Sequence, residues 1–499
     1  MSLRQKLGIA FTLVGCVLVA GACRHQISTP REVTLDDGGY PPEINKIVML
    51  HCTSGPTGGG CHNEVGAQNA AGFNMDTWAH AFEGSNHGSV IIPYDTINTP
   101  LLYYISPDSA LGPMALPGMP YTGTNTSQTP LTADEYKTIR HWVAQGAPDK
   151  DGNIAFGSNP DTRQKIYMTE QGSDVLSVVD AASHLVMRSI NIGMTPAIEG
   201  AHCVRVSEDG RYAYLCFLHG DYVQKVDTRT DQIVGSVKIS NGDASWNVLH
   251  ISPDGSRLIV SDFLGGKIDF INTANMEVTK VIPTSIPNLH GIASTRGFDT
   301  FFVTVQYGNT VFKLFPNFSY KLVTIDGATS TFAPQTRDPH EILMAPDYSK
   351  YFLTCEASNE IRVMDPTYDT LIAVIPVPQK PQEMSISKVE PYLFVSCMEA
   401  KSTTPGAYGA VAVINYQTLQ LVKIIYGDFW QPHGLSVDDQ NGVLYVASTN
   451  QTGPSVGHNH TSGGKHGWYN IYSLQTLEPI NTTQYETLVL PYSTDTRFK

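Results

Sequence analysis

Between Ile166 and Ser473 the chain writes one pattern seven times: a short β-prone strand, a turn and a second strand. The first strands read IYMTE from Ile166, AYLCF from Ala213, LIVSD from Leu258, FFVTV from Phe301, YFLTC from Tyr351, LFVSC from Leu393 and LYVAS from Leu444. Their partners read VLSVVD, YVQKVD, KIDFIN, TVFKLF, EIRVMD, AVAVIN and WYNIYS. Self-similarity at a period of about 40 to 50 residues, with several short strands per unit, is the pattern of propeller blades. One blade cannot bury both of its faces, so the units must stack radially around a channel. The first unit lacks an upstream inner strand, while YETLVLPY (485–492) is a strand with nothing after it to pair with. Joining the two ends closes a ring of seven blades.

A second regularity runs through the repeat. Fourteen positions before Cys216, Ser261, Thr304, Thr354, Ser396 and Ala447 lie His202, Asn247, His290, His340, Gln382 and His433. Four imidazoles and two carboxamides therefore open the innermost strands at equivalent places around the channel. The longest loop expected on that face holds GHNHTSGGKHG, with His458, His460 and His466. Neutral imidazole is the commonest side-chain ligand for borderline transition metals, so the column is a candidate metal or redox centre. The alternative is a histidine that only hydrogen-bonds loop carbonyls. His250 lies three places off the column, and His184 and His219 read as ordinary loop residues.

SPDG from Ser252, SEDG from Ser207 and first strands ending in Thr or Ser resemble the YVTN-type propeller repeats. The histidine column resembles the propeller domain of nitrous oxide reductase, in which histidines from successive blades hold copper. That likeness implies copper or another transition metal on His202, His290, His340 and His433. The chain departs from that family in lacking paired adjacent histidines and a following copper-binding domain, which sets nitrous oxide reduction itself aside.

Residues 41–156 have a different composition. LHCTSGPTGGGCHNEV places His62 directly after Cys61, with Cys52 upstream. Covalent haem attachment needs two thiols to add to the vinyl groups and an adjacent imidazole for iron; the usual signal is the tighter C-x-x-C-H. A disulfide in a glycine loop, or a single thioether through Cys61, are the other readings of the pair. PLTADEYKTIRHWVAQGAPD from Pro130 is a helix by its own signals: Thr132 and Glu135 make a capping box, Tyr136, Ile139, Trp142 and Val143 form one apolar face, and Gly146 stops it. With GFNMDTWAHAFEGSNHGSVIIP, TPLLYYI and LGPMALPGMP before it, this segment resembles the small cytochrome c domains of Bacteroidetes and planctomycete lipoproteins. The resemblance implies covalent haem c on Cys52 and Cys61, His62 as proximal ligand and Met119 as distal ligand, with Met114 as its substitute. His80 and His87 read as surface residues.

The expected fold class is thus multidomain: a small all-α cytochrome c domain over 41–156, then an all-β seven-bladed propeller over 160–499. Residues 1–23 have the basic start, apolar run and small residues of an exported lipoprotein signal, with 24–40 as linker. Cys23, after Ala20, Gly21 and Ala22 and before polar residues, is the expected lipidation site; Cys16 is followed by more apolar residues. That predicts a periplasmic or outer-membrane protein tethered to the membrane by lipid. A net charge of −14 argues against nucleic-acid binding. Cys355 and Cys397 share a column in neighbouring blades and read as buried apolar thiols.

The functional expectation is a cell-envelope c-type haem protein that transfers electrons with a redox partner protein, and to a histidine-ligated centre at the propeller mouth, as part of a periplasmic oxidoreductase. Two alternatives stand beside it. One is a non-enzymatic docking propeller with mouth aromatics Trp246, Phe429 and Trp430 and an electron-relay haem. The other resembles a haem-dependent nitrite reductase, with a second, non-covalent haem in the propeller.

Overall fold

Seven four-stranded antiparallel sheets carry most of the chain in the computed structural model, which describes residues 38–53, 61–115, 118–120, 130–239, 245–334, 337–450 and 466–498. Cys23, His458 and His460 lie outside the described residues. Blades 2 to 7 each use four consecutive strands, the innermost being Ala201–Val206, Trp246–Ile251, Leu289–Ser294, Pro339–Met344, Pro381–Ile386 and Pro432–Asp438. Blade 1 is assembled from both ends of the repeat: Pro491–Thr496 pairs with Lys165–Glu170, followed by Val175–Asp180 and Val186–Asn191. The stretch read from sequence as one spare strand is therefore two. Leu490, with φ of 57°, breaks it. Tyr485–Val489 becomes the outer strand of blade 7, and only Pro491–Thr496 closes the ring.

Each innermost strand carries the same irregularity. In blade 4, Leu289 pairs with Val305 and Ile292 with Val303, so one residue too many lies on the inner side; blades 5, 6 and 7 repeat this at Pro339/Ile342, Pro381/Met384 and Pro432/Leu435. Such a bulge re-aims side chains that strict alternation would send sideways. The bulge leaves a backbone N–H without its ladder partner, and the Thr/Ser column of the next strand supplies one. Thr304 Oγ1 accepts from Gly291 N–H (2.8 Å), Thr354 Oγ1 from Glu341 N–H (2.8 Å), Ser396 Oγ from Glu383 N–H (3.1 Å) and Thr169 Oγ1 from Ser493 N–H (3.0 Å). Some of these hydroxyls also reach the next blade: Thr304 donates to the His340 carbonyl (2.8 Å) and Ser261 to that of His290 (3.0 Å). The hydroxyl column thus fixes the backbone that carries the histidine column.

Blades are tied further out by lysines. Lys165, Lys313 and Lys423 each donate to a carbonyl in the outer turn of the following blade and pair with Asp231, Asp369 and Glu478 there, at 2.7 Å in each case. Buried Val, Ile, Leu and Phe fill the spaces between sheets.

The segment before the propeller contains the helices Pro42–Val48, Trp78–Ala81, Pro100–Ile105 and Ala133–Ala144, joined by long irregular stretches. Ala133–Ala144 has the expected capping box, with Tyr136, Ile139, Trp142 and Val143 buried and Gly146 at φ 93° beyond its end. This segment belongs to the same compact unit as the propeller, Gly38–Lys499. Its contacts fall on the seam between blades 1 and 7: Ser89 Oγ donates to the Val186 carbonyl (3.0 Å) and Glu486 N–H to that of His87 (3.0 Å). Phe156 packs against the cores on both sides. No helix among the described residues is long and apolar enough to cross a membrane.

Candidate functional site

Two places concentrate chemistry. The first is a cavity of about 700 Å³ between the N-terminal segment and the blade 1–7 seam. Cys52, Cys61, His62 and Met119 all line it. Cys52 is the last residue but one of the helical run from Pro42 to Thr53, and a backbone bond joins His62 N–H to the Cys52 carbonyl (3.1 Å). His62 Nδ1 lies 3.0 Å from the Phe73 carbonyl, and the Phe73 ring meets the imidazole edge-on at 5.3 Å. Held by Nδ1, the imidazole keeps Nε2 for another partner. Burial pushes the His62 pKa down, so the ring is neutral. Burial, and then the neighbouring Cys61, push the Cys52 thiol up to about 12. Both cysteines are free thiols here. Met114 is exposed and lies off the cavity wall. His80 sits against Asn74 Nδ2 (3.4 Å), and His87 forms an exposed pair with Glu486 (3.4 Å).

The rest of the wall holds residues that sequence reading missed. His51, beside Glu135 at 3.3 Å, adjoins Cys52. His466, expected beside the column, instead opens the third strand of blade 7, is exposed, and lines this cavity. It starts a strand outside the innermost pair. Ser177 and Thr487 line the propeller side, and the Thr487 hydroxyl donates to the carboxyl of Glu170 behind it. Glu170 is fully buried; desolvation pushes its pKa up to about 8, against hydrogen bonds from Thr487 and Ser177. The next residue, Gln171, reaches His202 Nδ1 at 2.9 Å.

His202 belongs to the second place, the ring at the channel. His202, His290, His340, Gln382 and His433 occupy the second position of their innermost strands, and Tyr492 occupies it in blade 1. All six are 4% exposed or less. Successive aromatic centroids lie 4.6 Å apart for Tyr492–His202, 5.9 Å for His202–His290, 4.1 Å for His290–His340, 6.4 Å for His340–His433 and 3.7 Å for His433–Tyr492. The imidazoles converge. Tyr492 escaped the sequence count because its partner strand lies at the other end of the chain. The signal for it was the dipeptide Pro491-Tyr492, which matches Pro339-His340, Pro381-Gln382 and Pro432-His433.

The bulge also turns the third position inward. Glu341 is buried and Glu383 half-buried, and both carboxyls are pushed up mainly by desolvation; for Glu341 the next cause is Glu383 itself. Arg205 is the cation that faces them, and the Asp495 carboxyl faces Arg205 and Glu383. Glu341 Oε2 lies 3.9 Å from His290 Nδ1. One ligand atom from each of His290, His340 and Glu341 falls within 4.8 Å of the others. Outside the column, His250 bonds Ser294 Oγ (3.0 Å) and stacks on Phe298, and His184 bonds the Tyr445 hydroxyl (2.7 Å). Cys203, Cys216, Cys355 and Cys397 are buried and none of them forms a disulfide among the described residues. Of the three expected mouth aromatics, Trp246 and Phe429 are fully buried core residues and Trp430 is half-buried.

Residues 161–394 match the family model for the cytochrome D1 heme domain. The matched span holds His202, His290, His340 and Gln382 and none of the Cys52–His62 segment. No curated protein matches the chain. Among solved structures, a dihydro-heme d1 dehydrogenase NirN in complex with DHE is similar at 13% identity, with 76% of this chain and 88% of that one covered and a TM-score of 0.47. Kuenenia stuttgartiensis hydrazine synthase is similar at 16% identity over 51% of this chain and 75% of that one, with a TM-score of 0.42. A functionally unknown protein from Desulfotomaculum acetoxidans is similar at 14% identity over 66% of this chain and 100% of that one, with a TM-score of 0.49. The family match associates the seven-bladed propeller with haem proteins.

Proposed function

We propose that the chain is a haem-carrying electron-transfer protein of the cell envelope, with haem c in the N-terminal cavity and a second redox site on the propeller ring. The observation that carries this reading is the meeting of Cys52, Cys61, His62 and Met119 on one largely apolar cavity. Its volume lies within the range of roughly 300–1,000 Å³ usual for cofactor sites. The donor set fits the group: two free thiols for thioether bonds, an imidazole held by Nδ1, and a methionine sulfur. Bound there, haem supplies one-electron chemistry, and a histidine–methionine ligand pair places its potential high.

The protein's own residues do the rest. Phe73 fixes the His62 ring through the carbonyl bond and the edge contact. Leu101, Ile105, Leu131 and Val90 keep water from the cavity wall. Thr487, Glu170, Gln171 and His202 make a buried polar route from that wall toward the ring. Holding both sites in one compact unit keeps donor and acceptor at high effective concentration.

The signal ending before Cys23 supports export and lipid anchoring, with a redox partner protein in the same compartment. Pyridine haemochrome absorbance of the purified mature chain, with its mass, tests the haem: one covalently held haem is expected, and a colourless protein overturns the reading. A second reading, two haems per chain, is favoured by the match of residues 161–394 to a haem-domain family. The same spectrum counts them.

A further inference from the structure

The ring's occupant can be narrowed from the side chains that meet there. We infer that His290, His340 and Glu341 hold a single first-row divalent transition-metal ion. This rests on the reading of the ring as a ligand site and names its ligands and the class of its occupant.

His290 opens the channel end of blade 4, and His340 and Glu341 are consecutive residues of blade 5. In a regular strand consecutive side chains face opposite ways; the bulge at Pro339/Ile342 lets both reach the channel. The two imidazole centroids lie 4.1 Å apart, and the three ligand atoms lie within 4.8 Å of one another. Glu341 is 4% exposed, and its Oε2 takes no hydrogen bond from any described residue. A buried carboxylate oxygen left in that state is costly unless a positive charge meets it.

Two features beside the triad point the same way. Gly291 keeps the space open: a Cβ there would lie 2.9 Å from Glu341 Oε1 and 2.9 Å from Ile342 N. The residue after His290 is thus small where blades 5 and 6 carry Glu341 and Glu383. On the other flank Gln382 is fully buried, and neither amide atom is hydrogen-bonded among the described residues. It provides a further oxygen donor.

The donor chemistry selects the ion. Two imidazole nitrogens and one carboxylate oxygen suit iron, zinc, copper or nickel. Calcium and magnesium call for a largely oxygen shell. The side chains that face Glu341 in the channel are Glu383, Arg205 and Cys203, and Asp495 in turn faces Arg205 and Glu383. Three carboxyl groups against one guanidinium leave room for a cation. The spacing also excludes a porphyrin plane inserted between these two imidazoles, because rings packed at 4.1 Å leave no gap for one.

The test uses the full chain with its N-terminal haem, stripped with chelator and reloaded with Zn(II) or Co(II) alone. The expected result is one tightly held zinc per chain by elemental mass spectrometry, and cobalt ligand-field bands typical of mixed nitrogen and oxygen donors. Glu341→Gln and His340→Ala should weaken binding by at least the roughly 10- to 100-fold seen when a supporting group is lost. Gly291→Ala, which crowds the carboxylate while keeping all three ligands, should weaken it less, and the exposed His219→Ala should leave it unchanged. Zinc held equally well by Glu341→Gln and His340→Ala, or not held at all, overturns the inference. So does one non-covalent tetrapyrrole per chain recovered by acid-acetone extraction. Thioether-bound haem stays in the protein pellet of that extraction, so an error about the N-terminal haem registers separately.

Discussion

The four ring histidines sit on strands, at one repeated position, 4% exposed or less, with hydroxyl groups of neighbouring strands holding the backbone beneath them. The cavity's Cys61 and His62 sit in irregular chain, Cys61 is exposed, and most of the nearby backbone belongs to no sheet. Both gather donor atoms, by different physical means. In the propeller a repeat places one residue type at one radius several times over. In the N-terminal segment a motif local in sequence places thiol and imidazole side by side, and folding brings Met119 to the same cavity wall. Sites on strands are held more closely than sites on loops. The ring should therefore keep its geometry without an occupant, while Cys61 and His62 are held less closely.

The sharpest way to break this contrast is to remove the attachment chemistry. Cys52→Ser with Cys61→Ser, or His62→Ala alone, is expected to abolish or strongly deplete covalent haem while the ring still binds zinc. Haemochrome absorbance and zinc content, measured on the same sample, check both halves. Loss of both together would mean that the two regions are not independent.

Next in size is the effect of pH through Glu170, which lies between the two. Its folded pKa of about 8 exceeds the ordinary 4.5, chiefly because of burial. The folded state thus keeps a proton that the unfolded chain releases, and stability is full below pH 4.5 and falls as pH rises toward 8. Three pH units correspond to about 4 kcal/mol. Glu170→Gln should remove much of this slope in urea unfolding curves recorded from pH 5 to 8. Asp269 and Asp338, each pushed up to about 7 mainly by burial, keep a remainder of the same sign.

A smaller effect probes the hydroxyl column. Thr304→Val keeps the shape but strands the Gly291 N–H and the His340 carbonyl, at a cost of about 2 kcal/mol. The decisive readout is a drop in zinc affinity with haem content unchanged. Smallest is Thr132→Ala, which removes the capping box of Ala133–Ala144 and should cost about 1 kcal/mol in the N-terminal segment only, seen as faster amide exchange there.

Much of this was legible in the sequence, for reasons that differ by residue. The seven blades follow from strand periodicity, and the capping box follows from Thr132 and Glu135, because both signals are local. The convergence of His202, His290, His340 and His433 follows from counting within the repeat. Tyr492 was missed because ring closure pairs strands from opposite ends of the repeat, which no count within a blade detects. Glu341 was missed because a bulge is needed to turn the third position inward, and strict alternation places it on the other face. His466 was placed beside the column because its long loop was expected to open on that face, whereas strand pairing sets it on the cavity wall. Trp246 and Phe429 were expected at the surface from their closeness to the mouth, but apolar area is better satisfied between sheets.

The closure of blade 1 has a consequence for how such a chain is made. Pro491–Thr496 brings Tyr492 to the ring, and Tyr485–Val489, just before it, brings Thr487 and its neighbours to the cavity wall. Neither site is whole until the ribosome has released these few residues. A nascent chain that stalls or is clipped ahead of them carries nearly every donor atom and still leaves both the ring and the cavity wall unfinished.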